Sequence, residues 1–376
     1  MYHESKRDPN EFSRKFRERY FCTRPHPELA LQMILKKAAL VVFGVLVVAL
    51  AGELFLRATG FGQVTPKMSF GSNAATALDR GYMVPDQTLF WKGNPDRIPH
   101  LRPVGHFVHP DAPIAPRGTR KRLIVLGDSC SRLVQGGLPY SAPLEAELGS
   151  KDWEVLNASL PGYSSYQGLL WLRSQLLAAD PDVVVIYFGW NDHWRTTGQT
   201  DREYEQTIRP GRLRLFNLLN RRPDPPPFRV PLAEYRENLQ TMIDDVLRGG
   251  GRVVLIAAPH RFPEENKKRY VANASLLPSD DVVSLHQSYR DVVREFIGKD
   301  NVSVLAADLV FAELGKTPAL LRDDGIHLTN EGHRVMGALL AEQIRSGSGR
   351  DGTAAPALLD AARRTRVQET RSDEPD

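Results

Sequence analysis

A serine and a histidine, two residue types that together catalyse acyl transfer, stand at polar breaks in this sequence. Ser129 closes the triplet Gly-Asp-Ser after the apolar run RLIVLG (122–127), and His327 closes the segment DDGIH. A serine hydroxyl is a weak nucleophile near neutral pH and needs an adjacent base to take its proton. An imidazole titrates near that pH, so we predict that His327 is the base. Turns also select Gly, Asp and Ser, so a plain strand-to-turn junction is the alternative for Ser129.

Short apolar runs rich in valine and isoleucine recur along the chain, and such runs are typical of strands buried on both faces of a parallel sheet. They occupy residues 122–127, 153–160, 182–189, 252–259 and 301–310. Helical patterns alternate with them at residues 141–148, 166–177, 232–247, 281–297 and 331–344. This alternation predicts an α/β fold, a three-layer α/β/α sandwich around a mainly parallel five-stranded sheet. We expect the proline-rich segment 221–231 to be a surface insertion.

Polar residues follow these runs at the carboxyl ends of the predicted strands, where open parallel sheets bind ligands. Gly162 follows the second run, Asn191 the third and His260 the fourth. His327 lies between the fifth run and the last predicted helix. We therefore expect these residues to form one site at one edge of the sheet.

The sequence blocks around these residues resemble those of the SGNH hydrolases, also called the GDSL esterase and lipase superfamily. The family is named for a serine, a glycine, an asparagine and a histidine, which correspond here to Ser129, Gly162, Asn191 and His327. The resemblance extends from residue 122 to about residue 344 and implies the flavodoxin-like SGNH fold. It also implies a serine esterase, a carboxylic ester hydrolase that works through an acyl-serine intermediate.

The resemblance also assigns a role to each residue of the site. The backbone amides of Ser129 and Gly162 and the side-chain amide of Asn191 would form an oxyanion hole, whose donors stabilise the charge that develops on the substrate. Asp324, three residues before the histidine, would accept a hydrogen bond from the imidazole and fix its tautomer. Asp323 is the competing choice, but it lies one residue too far back for the spacing of the family.

Three ring-bearing residues near the predicted site are candidates for substrate binding. Trp190 and His193 flank Asn191 and are candidates to stack on a sugar, with a structural or surface role as the equal alternative. His260 is a candidate to line the pocket. Cys130 follows the predicted nucleophile, and we interpret it as a small residue packed behind the turn.

We predict no cofactor. The first apolar run is not followed by a phosphate-binding glycine loop, which counts against nucleotide binding. His100, His106 and His109 have no accompanying cysteine or glutamate pattern, so we expect no metal site. The net charge of +4 is small for 376 residues, and the basic residues are spread along the chain, so nucleic acid is not an expected partner.

Residues 38–56 are apolar enough to cross a bilayer, which takes about 20 residues. Basic residues are numerous before this segment and few after it. The positive-inside rule therefore predicts a single-pass membrane anchor with its N-terminus in the cytoplasm and a periplasmic or otherwise extracytoplasmic catalytic domain. Cleavage of a signal peptide after Ala51, in the small-x-small pattern Ala49-Leu50-Ala51, is the alternative.

The chain is accordingly predicted to have five parts. They are a basic cytoplasmic N-terminus (1–37), a transmembrane helix (38–56), a stalk or accessory region (57–120), an SGNH domain (121–346) and a disordered C-terminal tail (347–376). A short helix over residues 354–366 is an alternative within that tail.

A membrane-tethered SGNH domain that faces outwards resembles the enzymes that remove or add acetyl groups on envelope and exported polysaccharides. We therefore expect an O-acyl esterase, acting chiefly on acetyl esters of an acylated glycan, with lipid esters or thioesters as other substrates. An O-acyltransferase that passes the acyl group to a glycan would use the same residues, and exclusion of water would favour it. A non-catalytic glycan-binding assembly protein is the third hypothesis, although such a protein has no need of a serine paired with a base.

Overall fold

The structure is a computed structural model that describes residues 27–61, 81–97 and 107–347, apart from 133, 197, 210, 212, 216–223 and 316. The chain forms two compact units, Met1–Gln63 with Leu213–Leu219, and Val64–Arg212 with Asn220–Asp376. Three predicted regions lie wholly or partly outside the described residues. They are the basic N-terminus up to residue 26, the stalk at 62–80 and 98–106, and the tail from residue 348.

The first unit contains helix α1 (Pro27–Thr59), which has 33 residues. Nearly every side chain from residue 31 to residue 50 is exposed, although most of them are apolar. The helix has the length and composition of a membrane span, and a signal sequence near the N-terminus shares both properties. The predicted apolar helix over 38–56 is therefore confirmed, and it is longer at both ends. Glu53, the acidic residue within it, accepts a hydrogen bond from Arg57 at 2.7 Å and another from the Leu215 amide at 3.1 Å.

The second unit contains a hairpin, a five-stranded sheet and the remaining helices. The strands are β1 (Met83–Asp86), β2 (Phe90–Gly93), β3 (Lys121–Gly127), β4 (Trp153–Ser159), β5 (Val183–Tyr187), β6 (Arg252–Ile256) and β7 (Val302–Leu305). The helices are α2 (Ser141–Leu148), α3 (Ser165–Trp171), α4 (Asp201–Ile208), α5 (Leu232–Arg248), α6 (Glu264–Ala272), α7 (Val282–Arg294), α8 (Ala307–Glu313), α9 (Thr317–Leu320) and α10 (Asn330–Ser346).

The sheet has the strand order β4-β3-β5-β6-β7, and all of its pairings are parallel. Gly127 at the end of β3 lies beside Ser159 of β4 and Tyr187 of β5. The three neighbouring strands therefore end at the same level, and the loops that follow them meet at one edge.

Side chains of β3 alternate between two hydrophobic cores, as the period of a strand requires. Ile124 and Leu126 pack in the core that contains residues of α3, α5 and α7, whereas Leu123 and Val125 pack in the core that contains residues of α2, α8 and α10. Both faces of the sheet are covered by helices, so apolar residues predominate in its strands. The predicted three-layer α/β/α sandwich with a five-stranded parallel sheet is confirmed.

The fifth predicted strand, 301–310, is wrong in its second half. Strand β7 ends at Leu305, and the apolar residues that follow belong to α8. The buried residues of α8 are Ala307, Val310 and Phe311, a spacing of three and four that belongs to one face of a helix. An apolar run that continues from a buried strand into a buried helix hides the boundary between them.

Part of the predicted stalk belongs to the second unit as a hairpin of β1 and β2, which pair antiparallel. Phe90 and Trp91 of β2 are fully buried in the core that contains α3. The Trp91 carbonyl also accepts a hydrogen bond from the Tyr163 hydroxyl at 2.7 Å. The hairpin therefore belongs to the core behind the loop that follows β4.

The prediction that 221–231 is a surface insertion is wrong for Arg229 and Val230, whereas Asp224 and Pro225 are exposed. Arg229 and Val230 are 0% exposed. The Arg229 amide donates to the Trp194 carbonyl at 2.8 Å, and the Val230 amide donates to the Asp192 carbonyl at 3.0 Å. Prolines keep this segment extended, and its extended backbone pairs with the loop that follows β5.

Candidate active site

Ser129 begins a short 3-10 turn, Ser129–Ser131, directly after β3. Asp128 caps this turn, because its Oδ1 accepts a hydrogen bond from the Cys130 amide at 2.8 Å. Cys130 is 1% exposed, and burial raises the pKa of its thiol. The thiol is therefore protonated and faces the core, while the Ser129 side chain is half-buried at the edge of the sheet.

His327 lies in the loop that precedes α10. Its carbonyl accepts a hydrogen bond from the Arg322 amide at 2.8 Å, and Thr329 caps the helix that follows. Gly325 is required in this loop for two reasons. Its φ is +72°, and a Cβ atom there would lie 2.0 Å from the Arg261 carbonyl oxygen. The tight loop carries His327 back to the end of β3.

A continuous series of hydrogen bonds joins Ser129, His327 and Asp324. The Ser129 Oγ atom lies 2.9 Å from His327 Nε2, and His327 Nδ1 lies 2.8 Å from Asp324 Oδ2. A carboxylate only accepts hydrogen bonds, so Nδ1 carries the ring proton and Nε2 accepts from the serine hydroxyl. Asp323 points to solvent, with a side-chain exposure of 111%, and its nearest cationic partner is Arg261 at 3.9 Å.

Asp324 is held as a carboxylate. Burial acts to raise its pKa, but the side-chain hydrogen bond and charge of His327 outweigh burial, so the pKa lies below its ordinary value. Its second oxygen, Oδ1, accepts from the amides of Ile326 and His327 at 2.9 and 2.8 Å. Both carboxylate oxygens are therefore occupied, which fixes the side chain against the imidazole.

Gly162 stands at the tip of the turn that follows β4. The Tyr163 amide donates to the Leu160 carbonyl at 3.2 Å, which closes a four-residue turn with Pro161 and Gly162 in its centre. Proline followed by glycine suits a type II turn, whose third residue needs a positive φ, and Gly162 has φ +83°. The hydrogen bond of the turn does not use the Gly162 amide, which leaves it for a ligand.

Asn191 lies in the turn that follows β5 and is 7% exposed. Its Nδ2 atom donates to Asp128 Oδ2 at 2.8 Å, which joins the turn after β5 to the turn after β3. An amide NH2 group has two protons, so the second is left to donate elsewhere. Burial raises the pKa of Asp128 to about 6, although hydrogen bonds from Cys130 and Asn191 and the charge of His327 act to lower it.

The family model that describes the GDSL-like lipase/acylhydrolase family matches residues 125–335, more than half of the chain. The chain belongs to this family. The resemblance drawn from the sequence blocks is thereby confirmed, and family membership indicates a hydrolase that acts on esters. None of the curated proteins matches the chain in sequence.

Solved structures of similar proteins include other hydrolases. The lipase/acylhydrolase from Enterococcus faecalis is 21% identical, with 61% of this chain and 99% of that chain covered and a TM-score of 0.43. The acetylxylan esterase Axe2 from Geobacillus stearothermophilus is 20% identical, with 58% of this chain and 92% of that chain covered and a TM-score of 0.37. At TM-scores below 0.5, these likenesses carry no argument about the substrate of this chain.

Asp192, which sequence reasoning missed, supports the site of this GDSL family member from behind. It is 0% exposed. Its Oδ1 accepts from the Ser165 amide at 2.9 Å, and its Oδ2 accepts from the Gly189 amide at 3.0 Å. The carboxylate therefore joins the start of α3 to the end of β5. Burial raises the pKa of Asp192 to about 7.

Two of the three predicted substrate-binding residues lie in the core. Trp190 and His193 are 2% and 0% exposed, and Trp190 stacks on His286 with ring centroids 3.8 Å apart. Rings that solvent does not reach cannot stack on a sugar, so burial argues against that role for both residues. His260 is half-buried, and its ring centroid lies 6.3 Å from that of Trp190. Only His260 of the three remains a candidate to line the site.

The described part of this GDSL family member contains no group of three or more His, Cys, Asp or Glu side chains arranged to hold a metal ion. His109 is buried, and its Nε2 lies 2.8 Å from the Gly93 carbonyl oxygen. His100 and His106 lie outside the described residues.

Proposed function

We propose that this GDSL family member is a membrane-anchored serine esterase that cleaves O-acyl esters, chiefly acetyl esters, through an acyl-Ser129 intermediate. The observation that carries the proposal is the series Ser129, His327 and Asp324, with hydrogen bonds of 2.9 and 2.8 Å. A hydroxyl bonded to an imidazole that is itself oriented by a carboxylate is the arrangement that activates a serine as a nucleophile.

The acylation step follows from this arrangement. Ser129 Oγ attacks the acyl carbon of the ester while His327 Nε2 takes the hydroxyl proton, and the charge of the resulting imidazolium faces Asp324. The negative charge on the former carbonyl oxygen is stabilised by hydrogen bonds from the amides of Ser129 and Gly162 and from Asn191 Nδ2. When the tetrahedral intermediate collapses, the bond to the alcohol breaks, and His327 returns the proton to the leaving oxygen.

The deacylation step repeats the same chemistry with water. His327 takes a proton from a water molecule, which attacks the acyl carbon of the acyl-Ser129 ester, and the acid is released as Ser129 regains its proton. Hydrolysis is favoured over transfer to a sugar by the exposure of the site. The side chains of His327 and Asp324 are 19% and 31% exposed, so water has access to the base, whereas transferases must exclude it.

The apolar helix α1 supports the proposed location. As an uncleaved anchor it would hold the catalytic unit on the outer side of a membrane, where acylated polysaccharides of the envelope are available esters. We therefore propose an acylated glycan as the substrate. A non-catalytic glycan-binding role is disfavoured, because binding alone gives no reason for a serine hydroxyl 2.9 Å from an imidazole nitrogen.

The proposal is tested by labelling membranes that contain the full chain with a fluorophosphonate probe and by measuring release of p-nitrophenol from p-nitrophenyl acetate. We expect the wild type to be labelled in the membrane fraction and to hydrolyse the acetate. Ser129→Ala should not be labelled, and its kcat should be lower than that of the wild type by about 10³-fold or more. Ser131→Ala is the matched control, because Ser131 lies in the same turn but faces the core, with its hydroxyl 2.8 Å from that of Tyr140.

Each outcome bears on a different part of the proposal. Undiminished labelling and hydrolysis by Ser129→Ala would contradict the assignment of the nucleophile. A labelled chain found only in the soluble fraction would contradict the anchor. Transfer of the acetyl group to an added sugar in preference to water would make the protein an acyltransferase.

A further inference from the structure

A buried ion pair lies behind the predicted oxyanion hole. Arg229 and Asp201 are both 0% exposed. Arg229 Nη2 lies 2.7 Å from Asp201 Oδ2, and Arg229 Nε lies 3.2 Å from Asp201 Oδ1. Removing two charges from water costs free energy that their attraction does not always recover, so stability alone is a weak reason for such a pair.

The same guanidinium contacts the residue that carries a proposed oxyanion donor. Arg229 Nη1 donates to the Gly162 carbonyl at 2.7 Å, and Nη2 also donates to Gln167 Oε1 at 2.7 Å. The donors of a guanidinium lie in one plane at fixed angles. The two bonds to Asp201 therefore fix that plane, and the plane directs Nη1 at the Gly162 carbonyl.

Gly162 needs such a restraint because of its residue type. It has φ +83° and no side chain, so steric clashes would restrict its backbone rotation less than that of any other residue type. The hydrogen bond of the turn holds Leu160 and Tyr163 but uses neither polar group of Gly162. The bond from Arg229 holds the Gly162 carbonyl and thereby limits the rotation of the residue whose amide would face the substrate.

The backbone around Arg229 also supports Asn191, another of the three proposed donors. Its amide donates to the Trp194 carbonyl, and the next amide, that of Val230, donates to the carbonyl of Asp192. Asp192 directly follows Asn191, the residue whose side chain is the second proposed donor. A single segment thus holds the turn after β4 through a side chain and the turn after β5 through its backbone.

We propose that Arg229 is a positioning residue that sets the oxyanion hole by holding the Gly162 carbonyl. The inference rests on the proposed esterase function and deepens it. Arg229 touches neither the nucleophile nor the base, so its effect is on the geometry of transition-state stabilisation. Its loss should therefore lower kcat and leave KM nearly unchanged.

The test compares Arg229→Lys with Arg122→Lys in the detergent-solubilised full chain. Arg122 is the matched control, because it is 1% exposed and bonds to Glu154 at 2.7 Å and to the Ala179 carbonyl at 2.8 Å. It lies near the start of β3, whereas Ser129 follows the end of that strand. Both variants should unfold at a lower temperature than the wild type. Kinetics with p-nitrophenyl acetate are measured well below those temperatures.

We expect Arg229→Lys to lose about 10- to 100-fold in kcat with KM within about twofold, because small displacements of preorganised groups have effects of this size. Arg122→Lys should keep kcat within about twofold. Affinity for a trifluoromethyl ketone, which forms a tetrahedral adduct with a serine, should fall in Arg229→Lys in parallel with kcat. A merely structural role would give both variants the same kcat.

A second variant covers the case in which Arg229→Lys does not fold. Arg229→Gln combined with Asp201→Asn removes both charges together, so it leaves no unpaired buried charge. It also lacks the two guanidinium NH2 groups that bond to the Gly162 carbonyl and to Gln167, so it should show the same loss of kcat. Equal kcat values for the Arg229 and Arg122 variants, or an effect on KM alone, would overturn the inference. An inactive wild type would instead contradict the esterase proposal itself.

Discussion

The two halves of the site are held in different ways. Asp324 and His327 lie three residues apart in one loop, and their side chains are 31% and 19% exposed. Gly162 and Asn191 lie on separate loops, and buried charged groups hold them in place, among them Arg229 at 0% exposure. The proposed proton-transfer half thus contains one local pair, Asp324 and His327, whereas the proposed oxyanion half depends on long-range contacts. Substitutions in the loop of Asp324 and His327 should therefore affect mainly kcat, whereas substitutions around Gly162 and Asn191 should also affect stability.

The largest difference should appear between two neighbouring carboxylates. Asp324→Asn should lower kcat for p-nitrophenyl acetate by about 10³- to 10⁴-fold, because an amide at this position favours the wrong imidazole tautomer. Asp323→Asn, the matched control, should stay within about twofold of the wild type, since Asp323 points to solvent. Both variants should fold, because neither side chain is in the core. Similar losses in the two variants would show that the proton-transfer half is not set by the contact of one carboxylate with His327.

A smaller loss of kcat is expected from a substitution in the proposed oxyanion hole. Asn191→Ala should lower kcat by about 100-fold or more, the usual effect of removing one oxyanion donor. It should also perturb the fold, because Asp128 loses the amide that donates to it at 2.8 Å.

Asn94→Ala is the matched control for Asn191→Ala, since it removes one amide hydrogen bond, to the Gly81 carbonyl at 2.9 Å, in the β-hairpin region. We expect the control to keep its kcat. If Asn191→Ala retained full kcat and lost only stability, the residue would be a structural link and not an oxyanion donor.

The sequence predicts best where a polar residue follows the end of an apolar run. It places Ser129 and Asn191 at one edge because parallel strands end together, and the structure joins their turns through Asn191 Nδ2 and Asp128. His327 reaches the same edge through the loop before α10, with its Nε2 2.9 Å from Ser129 Oγ. The catalytic roles of these residues stay predictions. Arg229 was missed because it meets Gly162 across 67 residues, and no spacing signals such a contact. The prolines around it and its own charge are both typical of exposed loops.

The prediction that Trp190 and His193, beside Asn191, contact the substrate meets the same limit of sequence-based prediction. Their position next to a predicted site residue favoured contact with the substrate. In the structure the turn after β5 directs Trp190 and His193 into the core, where they pack with His286. Sequence proximity to a site residue does not fix the direction of a side chain, since that depends on which helices cover the sheet.

The pH dependence of stability should reveal the same difference between the halves. Burial raises the pKa of Asp128 to about 6 and that of Asp192 to about 7, above the ordinary value of about 4. The native state therefore holds protons on these two groups that the unfolded chain releases, so their contribution to the free energy of unfolding falls as pH rises from about 4 to about 7. Asp324 has the opposite sign, since its lowered pKa contributes stability that is lost only as pH falls below about 4.

Thermal unfolding of the detergent-solubilised chain at pH 5 and pH 8 distinguishes these contributions. Asp192 should contribute about 3 kcal/mol less to stability at pH 8 than at pH 5, at about 1.4 kcal/mol per pKa unit. Burial lowers the pKa of His193 and of His286, whose contributions change in the opposite direction, so the effect of Asp192 is measured as a difference between a variant and the wild type. Asp192→Asn should be less stable than the wild type at pH 5, because an amide cannot accept from both Ser165 and Gly189 as the carboxyl group does. From pH 5 to pH 8 this variant should nevertheless gain about 3 kcal/mol relative to the wild type, since it has no proton to release at this position, whereas Asp324→Asn should change in parallel with the wild type. The same change in stability between pH 5 and pH 8 in all three proteins would mean that Asp192 does not titrate in this range.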